Sequence, residues 1–346
     1  MLSPICITPR CLLAFALSLI ALCAVAEAAP AEVTGLHDAV FTEYSPLSSN
    51  AELARRLLSP LAAAQLPQLL AQSGKRLSEQ PINLSEEKFV VYVPPEAPPR
   101  GYALLVFVSP SEDARLPQGW ASVLDRYGVV FVSAARSGND ESPLGRREPL
   151  ALLAVHNIEQ RYTVDAARVY VGGFSGGSRV ALRLALGYPD VFHGVLLNAG
   201  SDPIGDSATP LPPKDLFLRF QTSTRVVYIT GQEDTERLAM AARSSHSMHE
   251  WCVFNVDSEI AWGGHDIAAP APLSAALRKL LNPVTTDPGK LAACTATIEG
   301  RLTSQLDQAE SLAKTGRHAD AQKLLHQIDS RFGGLAAPRT VDLAQQ

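Results

Sequence analysis

The run Tyr102-Ala-Leu-Leu-Val-Phe-Val108 is apolar on both of its alternating faces. Successive side chains of a strand point to opposite sides of a sheet, so this run needs cover above and below. It belongs inside a sheet flanked by helices. The rest of the chain supplies the partners. Lys88–Val93, Gly128–Ser133, Arg168–Val171, Phe192–Leu197, Arg225–Thr230 and Trp251–Val256 read as further short apolar strands. Helical patterns such as Leu150–Arg161 and Ser178–Leu186 separate most of them. Strands alternating with helices predict the α/β class: a mainly parallel sheet with helices on both faces, its ligands bound at the carboxyl ends of the strands.

The flanks read differently. Met1–Ala28 has the layout of a secretory signal: Arg10, an apolar run Cys11–Ala26, then the small-residue triplets Ala24-Val25-Ala26 and Ala26-Glu27-Ala28. An uncleaved N-terminal anchor is the alternative. Residues 29–87 read as a helical and loop region, with Pro60 and Pro67 breaking the periodicity of Leu36–Gln80. Residues 88–281 hold the strand–helix series. Residues 282–346 hold a linker, Asn282–Lys290, and two amphipathic helices within Leu291–Leu325 divided at Gly316. This C-terminal helical hairpin resembles one repeat of the tetratricopeptide type. One hairpin is too few for a solenoid, so it reads as a cap on the main domain and a surface for protein contact.

Charge and cysteine usage narrow the partners. A formal net charge of −5 over 346 residues gives no support to nucleic acid or an anionic membrane as partner. Cleavage of the signal predicts a secreted or periplasmic protein with no membrane attachment, and removes Cys6, Cys11 and Cys23. Cys252 and Cys294 remain, either as a disulfide or as two separate buried thiols. No CxxC spacing exists, so cysteine-based zinc or redox chemistry has no support.

The chemistry gathers in "ARVYVGGFSGGSRVALRLAL", Ala167–Leu186, where four glycines surround Ser175 between a strand and a helix. A P-loop fits the outer glycine spacing, but it needs Lys then Ser or Thr where this chain has Ser178-Arg179. A dinucleotide fingerprint needs G-x-G-x-x-G, which no register provides. Gly173-Phe174-Ser175-Gly176-Gly177 is G-x-S-x-G, a nucleophile elbow. A side chain at Gly173 or Gly177 would collide with the flanking strand and helix, and the Gly176 amide would face a developing oxyanion. Ser178 lies inside the helix and lacks the second glycine. A glycine-rich packing turn is the bland alternative.

Such a serine requires a base and an acid, in the chain order Ser, Asp or Glu, His. Of the eight histidines, His265 alone sits in a loop after the last expected strand, within Trp262-Gly263-Gly264-His265. His156 and His193 come too early. His246 and His249 share a helix face but lack a matching carboxylate motif, so a metal is not expected there. Asp234, after Arg225–Thr230, is the leading acid, with Glu233 beside it and Asp202 as the other contender.

From about Lys88 to Leu281 the chain resembles secreted α/β-hydrolases of the polyhydroxybutyrate depolymerase-like esterase group, which includes feruloyl-esterase-like members. The matching stretches are Val164-Asp165 leading into "ARVYVGGFSGG", then "GYPDVFHGVLLNAG", "YITGQED" and "GGHD". The resemblance implies an α/β-hydrolase fold and a carboxylic ester hydrolase that needs no cofactor and takes a small-molecule or polymeric ester. Its catalytic roles fall on Ser175, Asp234 and His265. The chain departs from the group at one place. Where the family has His-Gly after the strand equivalent to Ala103–Val108, this chain has Ser109-Pro110-Ser111. Pro110 has no N–H and a fixed φ, which leaves the Ser111 amide to join Gly176 in the oxyanion hole. Two other classes share these residues: a catalytically weak or inactive binding protein on the same frame, and a serine peptidase.

Overall fold

The computed structural model describes residues 33–74, 76–77 and 82–346; the secretory-signal reading and Cys6, Cys11 and Cys23 lie outside them. Eight strands form one sheet: β1 Gly35–Ala39, β2 Phe89–Val93, β3 Tyr102–Val108, β4 Val129–Ala134, β5 Val164–Phe174, β6 Gly194–Asn198, β7 Arg225–Gly231 and β8 Val256–Ala261. Their spatial order is β1-β2-β4-β3-β5-β6-β7-β8. β2 pairs antiparallel with β1 and β4, and every other pairing is parallel. Residues Val33–Gln346 make up one compact unit.

β3 occupies the position its composition demands, between β4 and β5, with every residue buried. Its even-numbered residues Leu104, Val106 and Val108 join the core beneath helices α4 (Glu148–Arg161) and α5 (Gly176–Gly187). Ala103, Leu105 and Phe107 join the opposite core, against α3 (Trp120–Tyr127) and α8 (Pro270–Leu280). There the Trp120 ring meets Phe107 edge-on at 5.2 Å, and its indole N–H donates to Ala268 O at 2.8 Å. Each large apolar side chain buried in this way contributes about 1.5–3 kcal/mol.

Three local expectations are corrected. Gly35–Ala39, expected to be helical or loop, is an edge strand in register with β2. Pro67 does not end a helix: it lies inside α2, Pro60–Gln72, which Pro60 opens after α1, Asn50–Leu57. The last strand is Val256–Ala261 rather than Trp251–Val256. Trp251, Cys252 and Val253 are apolar because they are buried under the C-terminal helices, and Cys252 takes a positive φ that ends α7, Thr235–Glu250. The true β8, VDSEIA, is an edge strand, so polar side chains remain along it.

After α6 (Lys214–Ser223), α7 and α8, the chain continues into α9, Pro288–Lys314, and α10, His318–Phe332, which reverse at Gly316 with φ +77. Asp287 caps α9 by accepting from the Gly289 and Lys290 amides. The hairpin is part of the core: Phe332 meets Trp251 edge-on at 5.7 Å, and Asp329 accepts from the Leu61 amide at 2.9 Å. It also holds a loop of the main body, because Arg331 donates to Gly205 O and the Gly334 amide to Leu211 O. Among the described residues no helix is long and apolar enough to cross a membrane.

Cys252 and Cys294 form a disulfide that joins the end of α7 to α9 across a sequence separation of 42. Closing a loop of that size restricts the unfolded chain, so replacing both by alanine should lower the unfolding free energy by ~4 kcal/mol in the chain-entropy account. Urea denaturation of the two proteins measures this, and an unchanged midpoint would mean that the bond contributes no stability.

Candidate active site

Ser175 sits where β5 ends and α5 begins, with φ 53 and ψ −121, a conformation that costs a non-glycine residue energy and is held by its surroundings. The two outer glycines explain why it is tolerated. A Cβ on Gly173 would lie 2.4 Å from the Gly177 carbonyl, and one on Gly177 would lie 2.0 Å from Val108 O on β3. The Ser175 amide donates to Asn198 O at 2.9 Å, which ties the turn to the end of β6. Ser178 is fully buried and donates to Gly173 O and Asn198 O, so it braces the turn rather than competing with Ser175.

Three side chains from separate loops meet at this turn. His265 Nδ1 lies 2.6 Å from Asp234 Oδ2, and Nε2 lies 3.0 Å from Ser175 Oγ. With the proton on Nδ1 donated to the carboxylate, Nε2 accepts from the serine hydroxyl. Asp234 follows β7 and also caps α7, its Oδ1 accepting from the Arg237 amide at 3.2 Å. His265 follows β8, and its loop is stitched to the Asp234 loop by Glu233 N–H donating to Gly263 O. Phe174 lies against the imidazole, with ring centroids 5.0 Å apart. Asn198, which sequence reading passed over, fixes the far side: its Oδ1 accepts from Ala268 N, and its Nδ2 donates to Ile229 O and Asp266 O. An asparagine closing the apolar strand Gly194–Asn198 was the available signal.

A sheet of this order, with a serine elbow after β5, a carboxylate after β7 and a histidine after β8, is one architecture. The chain has the α/β-hydrolase fold. No family model matches it. A poly(3-hydroxybutyrate) depolymerase from Ralstonia pickettii is 31% identical to this chain over 98 residues, 24% of this chain and 20% of the relative. The match therefore spans about a fifth of that protein. Among solved structures, a ferulic acid esterase aligns over 56% of this chain and 90% of its own, at 17% identity and TM-score 0.41. LpqC, a poly(3-hydroxybutyrate) depolymerase from Bordetella parapertussis, aligns over 60% and 88%, at 17% identity and TM-score 0.42.

A cleft of about 660 Å³ opens on Ser175 and Gly176. Its walls include Asn139, Pro143 and Leu144 from one loop and Asp202 and Ala208 from another. Asp202, the rival acid, is not beside His265: its Oδ1 lies 3.4 Å from Arg179 Nε. His246 faces Glu250 and His249 Nδ1 donates to Ser245 O, both within α7. Among the described residues, no group of three or more His, Cys, Asp or Glu could hold a metal ion.

The oxyanion side departs from expectation. Gly176 stands at the start of α5 beside Ser175, but the Ser111 amide donates to Ser109 Oγ at 3.0 Å. Arg147 holds this loop from behind, its Nη2 donating to Ser109 O. The Asn139 side chain crowds Gly176 so closely that a Cβ there would fall 2.1 Å from its Oδ1. Nothing in the local sequence marked Asn139, since its place over Gly176 depends on Asn139 N–H donating to Pro110 O across the cleft wall.

Proposed function

We propose that this chain is an exported serine hydrolase that cleaves carboxylic esters through an acyl-enzyme. The observation that carries the reading is the continuous hydrogen-bonded line from Ser175 Oγ through His265 to Asp234. Ser175 Oγ attacks the ester carbonyl as its proton passes to His265 Nε2. Asp234 holds the imidazole in the reactive tautomer and stabilises its charged form. The imidazolium returns the proton to the leaving alcohol, and water then releases the acid by the same route. The Gly176 amide receives the oxyanion at the start of α5. The esterase class is supported by the short segment shared with the Ralstonia depolymerase. Export is supported by the layout of Met1–Ala28 and by the Cys252–Cys294 bond, which belongs to an oxidising compartment. Labelling by a fluorophosphonate followed by a panel of matched esters and amides tests the reading: labelling with ester turnover is expected, and amide-only turnover would move the chain to the peptidases.

The Ser111–Ser109 hydrogen bond favours a second reading, a hydrolase frame that binds without turning over. Absence of labelling would select it. Replacing Ser109 by alanine removes the acceptor that occupies the Ser111 amide. If that amide is the second oxyanion donor, turnover of a small activated ester should rise, by less than the ~10²-fold that losing a whole donor costs. Unchanged turnover would place the second donor elsewhere, with the Asn139 amide the next group at Gly176.

A further inference from the structure

The cleft at Ser175 carries a charge opposite to that of the chain. The whole sequence has a formal net charge of −5, yet the cleft is lined by Arg147, Arg179, Arg183 and Arg237 against the single carboxylate of Asp202. Two of the arginines are structural. Arg183 Nε donates to the fully buried Glu148 at 2.6 Å and its Nη1 to Ala208 O, while Arg147 Nε donates to Ser137 O and its Nη2 to Ser109 O. The other two are not consumed in this way. Arg179 has a side chain 46% exposed and faces one partner, Asp202, at 3.4 Å through Nε. Arg237 spends a single nitrogen, Nη1, which lies 2.8 Å from Met240 Sδ and 3.5 Å from Glu236 Oε1. The remaining guanidinium nitrogens of both have no acceptor among the described residues.

Their positions tie them to the reacting groups. Arg179 stands one helical turn beyond Ser175 on α5. Arg237 stands in the first turn of α7, and its own amide is the donor that caps onto Asp234 Oδ1. Two planar forks with unused donors, in a cleft that also holds the nucleophile, match the geometry of a carboxylate. We infer that this cleft selects esters that carry an anionic carboxylate on their acyl or alcohol part, held between Arg179 and Arg237. The inference rests on the ester-hydrolase reading for its chemistry. Asp202 occupies Arg179 until such a substrate arrives, and burial pushes its carboxyl above the usual carboxylate range, which weakens it as a competitor.

Two matched pairs of esters test this at low ionic strength. 4-Nitrophenyl hexanoate and mono-4-nitrophenyl adipate differ by a carboxylate on the acyl chain; butyl acetate and 4-acetoxybutanoate differ by one on the alcohol. In one pair the anionic ester should have at least a ~10-fold higher kcat/KM, and salt should reduce that ratio by screening. Arg179→Gln and Arg237→Gln should each lower the ratio, mainly through KM, and the double variant should abolish it. Asp202→Asn should raise it. Equal or faster turnover of the neutral ester in both pairs, or a ratio that survives the double variant, overturns the inference. A binding arm separates it from the hydrolysis reading. Monomethyl adipate, titrated into Ser175→Ala, should bind at least ~10-fold more tightly than to the same protein lacking both arginines. Fluorophosphonate labelling without arginine-dependent preference or binding sinks the anion site and leaves the esterase. Arginine-dependent binding without labelling or turnover does the reverse.

Discussion

Ser175→Ala is expected to abolish fluorophosphonate labelling and to lower ester turnover by ~10⁴-fold or more, with the fold intact. The backbone at 175 keeps its positive φ for reasons outside the side chain. Its amide is held by Asn198 O, and α5 starts immediately after it. Alanine meets the same backbone demand as serine and gives up one hydrogen bond, to His265 Nε2. Thermal unfolding should therefore move little while labelling vanishes. Full labelling of the alanine variant would remove Ser175 from the mechanism.

Asp234→Asn should cost about 10⁴-fold in kcat with little change in KM. The carboxylate does two things at once: Oδ1 caps α7 and Oδ2 receives the Nδ1 proton of His265. An asparagine has one acceptor for these two donors. With its oxygen kept on the Arg237 amide, its NH₂ faces Nδ1 and drives the imidazole into the tautomer whose Nε2 carries the proton. That nitrogen then cannot accept from Ser175. The helix cap survives, so circular dichroism should be unchanged. If Asp202→Asn abolished labelling and Asp234→Asn did not, the acid would have been misassigned.

The residues legible in the sequence were those whose chemistry is local. Gly173 and Gly177 are required within five positions of each other by clashes with α5 and with Val108, so the elbow shows itself without a partner. Asp234 and His265 follow from strand order and loop position. β3 was legible because both of its faces are buried, and a covered strand leaves no polar position to mislead. Edge strands lack that constraint. β1 and β8 keep polar side chains, while Trp251–Val253 gained the look of a strand from burial under a hairpin far along the chain. The cleft arginines were hidden for the same reason. Positions 147, 179 and 237 come from three separate elements, and only the fold places them around one opening. The Ser111 amide illustrates the opposite case: the Ser109-Pro110-Ser111 departure is visible in the sequence, but the amide's use of Ser109 Oγ depends on a side-chain rotamer that no spacing encodes.

The grip of the C-terminal hairpin on the loop through Gly205 and Leu211 also divides the cleft between two stretches of the chain. Ser175, Asp234 and His265 all precede α9 in the chain. The loop that contributes Asp202 and Ala208 to the cleft takes two of its anchors from Arg331 and Gly334. The serine turn and the wall of the cleft are therefore completed by different stretches of the chain. A chain that stops short of α10 keeps Ser175, Asp234 and His265, while one wall of the cleft lacks two of its anchors.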